Sequence, residues 1–301
     1  MLDKTADKRK YLNPATIARL DNMALRARLV VEGFILGLHK SPYHGFSVEF
    51  AEHRPYNPGD EIRHIDWKLF GKTDRYYIKQ FEEETNLKSY ILLDKSGSMK
   101  YASGAISKLS YGSYLAAALA YLMLKQQDAV SLTLFDDQVR DFLPPVAKKS
   151  HLNQVLAALE RIEAGAETRI APQLHELAEK LKKRGLIVLI SDLLDEPDDV
   201  INALKHFRHK RHEVILFHIL DRQELEFSFN RQTRFVDLET SQHINTEPWH
   251  IQEAYQGLIR QFIENYKVQC RANNIDYVTL ITDQDMDLAL SEYLRKRTRI
   301  G

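Results

Sequence analysis

Four runs in this chain leave few folds open. Residues 88–94 (KSYILLD), 129–136 (AVSLTLFD), 186–192 (LIVLISD) and 213–221 (EVILFHILD) are apolar at nearly every position, not at every second one. A strand with one wet face alternates, whereas a strand that is apolar throughout must be covered on both faces. Helix-length segments lie between and after these runs. Residues 109–127 are apolar nearly all round, 151–165 are amphipathic with Gly165 as a stop, and 171–185 and 198–207 follow. A further strand over 276–283 sits between helices over 250–273 and 285–297. Strands alternating with helices predict an α/β fold: a mostly parallel sheet with helices on both faces.

Two short segments predict local β structure. Residues 138–143, directly after the second run, read as a hairpin partner at a sheet edge. Residues 224–239 alternate around a turn at Asn230 and read as a β-hairpin insertion. The α/β domain is therefore expected to span 86–301. An N-terminal helical segment over 1–42 and a β-rich accessory region over 43–85 precede it.

Composition excludes several function classes. Lys+Arg and Asp+Glu both number 42 in 301 residues, so the basic excess that nucleic acid or an acidic membrane surface demands is missing. A single cysteine, Cys270, rules out an internal disulfide and a cysteine metal cage. The longest apolar run, 114–124, is about half of the roughly 20 residues a membrane span needs. The first residues, MLDKTADKRKYLNP, lack the apolar core of a signal peptide. The expectation is a cytoplasmic protein with no nucleic-acid partner and no membrane insertion. The basic stretch His206–His212 reads as a solvated helix end.

In open parallel sheets, ligand sites lie beyond the carboxyl ends of the strands. Asp94 and Asp192 each end a buried run, so both fall on the same rim whatever the strand order. In DKSGS, oxygens recur at Asp94, Ser96 and Ser98, and Gly97 permits the turn that lets both serines face inward with Asp94. Two carboxylates and two hydroxyls form a hard oxygen set, suited to magnesium, calcium or manganese and not to zinc. Thr168, in the loop GAETRI before a helix, is a candidate fifth oxygen. The plainer reading of each is turn or cap chemistry; Thr168 in particular can cap a helix starting near Ile170. The strand context shared by Asp94 and Asp192 favours ligation.

These residues, in order Asp94, Ser96, Ser98, Thr168 and Asp192, resemble the metal-ion-dependent adhesion site of von Willebrand factor A domains. The stretch before them carries Arg54, Tyr56, Gly59, Asp60, Arg63, Ile65, Asp66 and Trp67, then Phe81 to Glu84. This is similar to the bacterial family called domain of unknown function 58, as are RFVDLE (234–239) and the C-terminal segment from Ile275. The match covers roughly 20–298; KLFGKTDR departs slightly from the family pattern at Gly71 and Lys72. The resemblance implies a von Willebrand factor A-like fold and a magnesium site whose open position a partner's acidic side chain fills. It also implies a MoxR-type AAA+ ATPase as partner. The implied role is an adapter between that ATPase and an unknown client in chaperone-like maturation or assembly.

The rival reading is a metal-dependent, phosphatase-like hydrolase using Asp94. That chemistry wants a second aspartate two residues on, where Ser96 stands. Neither Ser96 nor Ser98 has a Gly-x-Ser-x-Gly frame, and no Walker A loop is present. The charges of Arg54, Asp60, Arg63 and Asp66 read as a structural ion-pair set. A non-enzymatic interaction protein is expected.

Overall fold

The computed structural model describes residues 14–20, 22–38, 53–56, 67–79, 87–165, 169–229, 231–236, 238 and 242–300. The helices are α1 (Pro14–Ile17), α2 (Met23–Leu38), α3 (Trp67–Thr73), α4 (Lys108–Lys125), α5 (His151–Glu160), α6 (Ile170–Lys180), α7 (Pro197–His209), α8 (Arg222–Glu226), α9 (Pro248–Ala272) and α10 (Asp287–Ile300). The strands are β1 (His53–Pro55), β2 (Tyr77–Lys79), β3 (Lys88–Asp94), β4 (Ala129–Phe135), β5 (Val139–Val146), β6 (Leu186–Ser191), β7 (Glu213–Leu220), β8 (Thr233–Val236), β9 (His243–Thr246) and β10 (Asp276–Ile281).

Six strands form one sheet in the order β10-β7-β6-β3-β4-β5. All neighbours are parallel except β4 and β5, which pair antiparallel at the edge. The apolar runs are therefore strands buried on both faces. In β3, Ile91 and Leu93 enter the core beneath α2, α4, α5 and α10, while Tyr90 and Leu92 enter the core beneath α6, α7 and α9. The mostly parallel sheet with helices on both faces, expected from the sequence, is the fold of the chain.

Helix α4 is apolar nearly all round because it is sandwiched. One side lies on the sheet, where Gly112 is needed: a Cβ there would stand 3.0 Å from Leu93 Cδ1 and 3.2 Å from Ile219 Cδ1. The other side is covered by α2, whose Ala27, Val30, Val31 and Phe34 join the same core. The Arg26 guanidinium lies 4.8 Å from the centroid of the Tyr114 ring, and the Met23 N–H donates to Glu160 Oε1 at 3.1 Å. The described part of the expected N-terminal segment is thus a layer of the main core.

Several local expectations shift. Helix α5 ends at Glu160, and Gly165 is not its stop. Gly165 instead lies where the chain passes Asp136: a Cβ would stand 2.1 Å from Asp136 Oδ2. The expected hairpin over 224–239 begins later, pairing β8 with β9. Residues 222–226 are helical because Asp221 and Glu224 form a reciprocal capping box. Within 43–85, β1 and β2 pair antiparallel, but 67–73 is helical. Asp60, Arg63 and Asp66 lie outside the described residues. The basic helix end is only partly solvated: His212 is buried, with its Nε2 3.2 Å from the Leu181 carbonyl.

If α2 is an integral layer, truncating Phe34 must loosen the whole domain. Phe34→Ala is expected to lower unfolding free energy by about 3–4 kcal/mol, in one cooperative transition followed by circular dichroism in denaturant. An unchanged main transition would mean that α2 folds apart from the sheet.

Candidate metal centre

The chain leaves β3, builds β4 and β5 on one side, and then crosses to β6 on the other. The loops after β3 and β6 therefore diverge around a crevice at the switch point of the sheet. Asp94 ends β3 and Asp192 directly follows β6, and β3 and β6 are hydrogen-bonded neighbours. Backbone after Asp94 stays extended through Ser96 and then tightens into a 3-10 turn over Gly97–Lys100.

Asp94 is fully buried and held at both oxygens. The Ser96 N–H donates to Oδ1 at 2.8 Å and the Ser191 hydroxyl to Oδ2 at 2.6 Å. Ser191 in turn accepts from the Leu193 N–H at 2.9 Å. The Ser96 and Ser98 hydroxyl oxygens lie 3.0 Å apart. Burial, and next the charge of Asp192, push the Asp94 carboxyl up to about 7. Two carboxylates in a dry crevice repel each other unless a cation or a proton intervenes.

Asp192 is also fully buried. Lys108 Nζ lies 2.7 Å from its Oδ2, a charge contact whose angle leaves that oxygen without a directed hydrogen bond. Its carbonyl oxygen lies 3.0 Å from His218 Nε2, and Tyr277 Oη lies 2.6 Å from His218 Nδ1. Burial pushes His218 down to about 4, so the ring is neutral near pH 7. The carbonyl partner assigns the proton to Nε2, leaving Nδ1 to accept from Tyr277. This chain fixes the backbone that carries Asp192.

Thr168 lies outside the described residues, but both ends of its loop are placed. The Gly165 N–H donates to the Lys95 carbonyl at 2.6 Å, next to Asp94. At the other end, Ile170 N–H and Ala171 N–H donate to Asp195 Oδ2 at 2.9 and 3.3 Å. The chain thus touches the Asp94 segment at Gly165 and the segment after Asp192 at Ile170. Asp195 supplies the cap of α6, a role the sequence left open to Thr168.

The structure thus brings Asp94, Ser96, Ser98 and Asp192 to one rim. Among the described residues no group of three or more His, Cys, Asp or Glu is arranged as a metal site. The rim offers a mixed hydroxyl and carboxylate set. It fits a hard divalent ion such as magnesium, because the buried Asp94 carboxyl with its raised pKa calls for positive charge and the two hydroxyls beside it are hard oxygen donors.

Sequence reasoning missed Ser191, Lys108 and Glu224. Lys108 left one signal: a cation at the first position of a helix opposes the macrodipole and calls for another reason. Glu224 left another, the D-x-x-E spacing with Asp221.

The sheet order, the antiparallel edge strand and the rim residues define an α/β domain of the von Willebrand factor A-like class. The chain belongs to the family described as protein of unknown function DUF58, whose profile matches residues 52–262. Uncharacterized proteins of Mycobacterium tuberculosis and Mycobacterium bovis are 25% identical over 219 residues, covering 71% of this chain and 68% of theirs. An aerotolerance-related membrane protein from Bacteroides fragilis superposes with a TM-score of 0.50 at 18% identity, over 70% of this chain and 99% of that one. The von Willebrand factor A domain of SpRpn10 aligns at TM-score 0.40 and 10% identity, over 69% of this chain and 94% of its own. None of the described helices is long and apolar enough to cross a membrane.

The raised pKa of Asp94 has a pH signature with a definite sign. The folded protein keeps a proton between the ordinary value of 3.8 and about 7 that the unfolded chain has lost. Stability from this group is full below pH 4, falls as pH rises towards 7 and is flat above. In chelator at pH 7.5, Asp94→Asn is expected to be more stable than wild type by on the order of 1–3 kcal/mol, since one pKa unit is about 1.4 kcal/mol. Thermal melts from pH 4 to 8 test this; identical pH profiles for the two proteins would refute it.

Proposed function

We propose that this chain is a non-enzymatic, divalent-metal-dependent protein-interaction module. In this reading it is an adapter for a MoxR-type AAA+ ATPase in chaperone-like maturation or assembly of client proteins. The observation that carries the reading is the pair of buried carboxylates beside two hydroxyls at the switch point of the sheet. Ser96 and Ser98 would hold magnesium through their hydroxyls, Asp94 and Asp192 would supply the charge, and Thr168 is the further candidate donor. When bound, the ion supplies a positive point that accepts a carboxylate from the partner. The chain's own residues fix where that point lies. Ser191 and the Ser96 N–H orient Asp94, and His218 holds the backbone at Asp192.

The hydrolase reading has less support. Asp94 is fully buried and engaged at both oxygens, so neither is presented to a substrate as a nucleophile. An interaction role has support beyond the rim. Helix α8 starts where β7 ends, on the Asp192 side of the sheet, and leads into the β8–β9 hairpin. Val236, Leu238 and Ile244 of this hairpin region are exposed, as are Trp249 and Ile251 on α9. We place the module in the cytoplasm, where an ATPase partner finds its nucleotide.

The test is a pull-down or interferometry measurement with the MoxR-type ATPase of the same cell, with magnesium and with excess chelator. Chelation and Ser96→Ala are each expected to weaken the complex by about tenfold or more, roughly 1.4 kcal/mol, with the circular dichroism spectrum unchanged. A complex that forms equally well in chelator would remove the ion from the interface. Turnover of a phosphate ester, lost in Asp94→Asn, would favour the hydrolase.

A further inference from the structure

The rim already contains a cation of its own. Lys108 opens α4, where the helix end is itself partly positive, so helix chemistry does not call for a lysine there. Its side chain is fully buried, with Nζ 2.7 Å from Asp192 Oδ2 and 2.5 Å from Glu224 Oε1. The Tyr101 ring covers it at 5.9 Å. Burial alone would push its pKa down, but the charges of Asp192 and Glu224 outweigh burial and hold the ammonium charged. Among the described residues Asp94 has no such cation: its oxygens accept from the Ser191 hydroxyl and the Ser96 N–H.

We propose that Lys108 is a tethered counter-cation that competes with the divalent ion for Asp192 and so sets how much ion the rim requires. The inference rests on the metal reading above. A divalent ion among Asp94, Ser96, Ser98 and Asp192 brings two positive charges next to a fixed third, in an interior that screens them poorly. Asp192 cannot give its full charge to both. Lys108 does not become unpaired when the ion takes Asp192, because Glu224 remains. Glu224 is held in place from α8, where its Oε2 accepts the Asp221 N–H at 2.8 Å.

The exchange also reaches beyond the rim. Asp221 accepts from the Ser103 N–H at 3.0 Å and from the Ser103 hydroxyl, in the loop between the Asp94 motif and α4. Phe227 follows α8 in a left-handed conformation, φ 48°, and stacks on Tyr255 and on Phe235 of the hairpin. A change in how hard Lys108 pulls on Glu224 is therefore felt at the base of the exposed hairpin.

The test is calorimetric titration of manganese or magnesium into metal-stripped protein at one pH, for wild type, Lys108→Met and Glu224→Gln. Methionine keeps the apolar stem out to Cε and removes the ammonium. Lys108→Met is expected to bind the ion about tenfold tighter or more, and Glu224→Gln about threefold weaker, because Lys108 then leans on Asp192 alone. Hydrogen exchange over 221–227 should change on metal addition in wild type and not in Lys108→Met. Equal or weaker binding by a folded Lys108→Met overturns the competition while leaving the metal site standing. If that variant does not fold, Glu224→Gln decides: unchanged or tighter binding overturns the proposal. Absence of binding by wild type and by every folded variant sinks the metal reading and the competition together.

Discussion

Negative charge buried at the end of the central strand is the constraint on which the rest of this site depends. A parallel sheet covered on both faces leaves its strand ends as the place where polar groups meet a dry interior. Asp94 stands at that place, inside a sheet of six strands, with Asp192 just past the end of the neighbouring strand. Each surrounding feature answers the charge. Ser191 and the Ser96 N–H hydrogen-bond Asp94, and Lys108 faces Asp192. What they leave over is a carboxyl whose pKa rises to about 7. In the proposed metal reading, the burial that raises the Asp94 carboxyl is the same burial that would give a bound cation its grip.

The fold was legible because its signal is dense. Runs such as ILL (91–93) and LIVLI (186–190) have one physical solution, a strand covered on both faces, and the segments between them have helical length. The Asp94, Ser96 and Ser98 part of the site was legible because it is local: one strand end and one turn place all three. Asp192 followed from strand-end logic alone.

What escaped reading is what depends on chain segments far apart meeting. Lys108 and Glu224 are separated by 116 positions, and Ser191 and Asp94 by 97. No spacing rule connects them before the crossover is known. Gly165 was misread for a related reason. A glycine after an amphipathic run signals a helix stop, yet here it permits a close pass of backbone by Asp136, which only the tertiary structure reveals. The hairpin is a different case: the D-x-x-E capping box at Asp221 and Glu224 stood in the sequence and outweighed the alternation that suggested strand.

The two parts that meet at the rim differ in how firmly they are built. The carboxylates are set at the ends of β3, buried from Ser89 onward, and β6, buried throughout. The neighbouring segment is a five-residue helix and a hairpin of four-residue strands, shorter than either element sustains alone in water. Its anchor is the stack of Phe227 with Tyr255 and Phe235, at 4.2 and 5.4 Å between centroids. The proposed adapter role would use this division. A rigid strand end would fix where a partner's charge must land, and a marginal hairpin beside it would let its apolar residues adjust to the surface that arrives. Lys108 touches both, through Asp192 on one side and Glu224 on the other. Charge at the rim and order in the hairpin are therefore not independent quantities in this molecule.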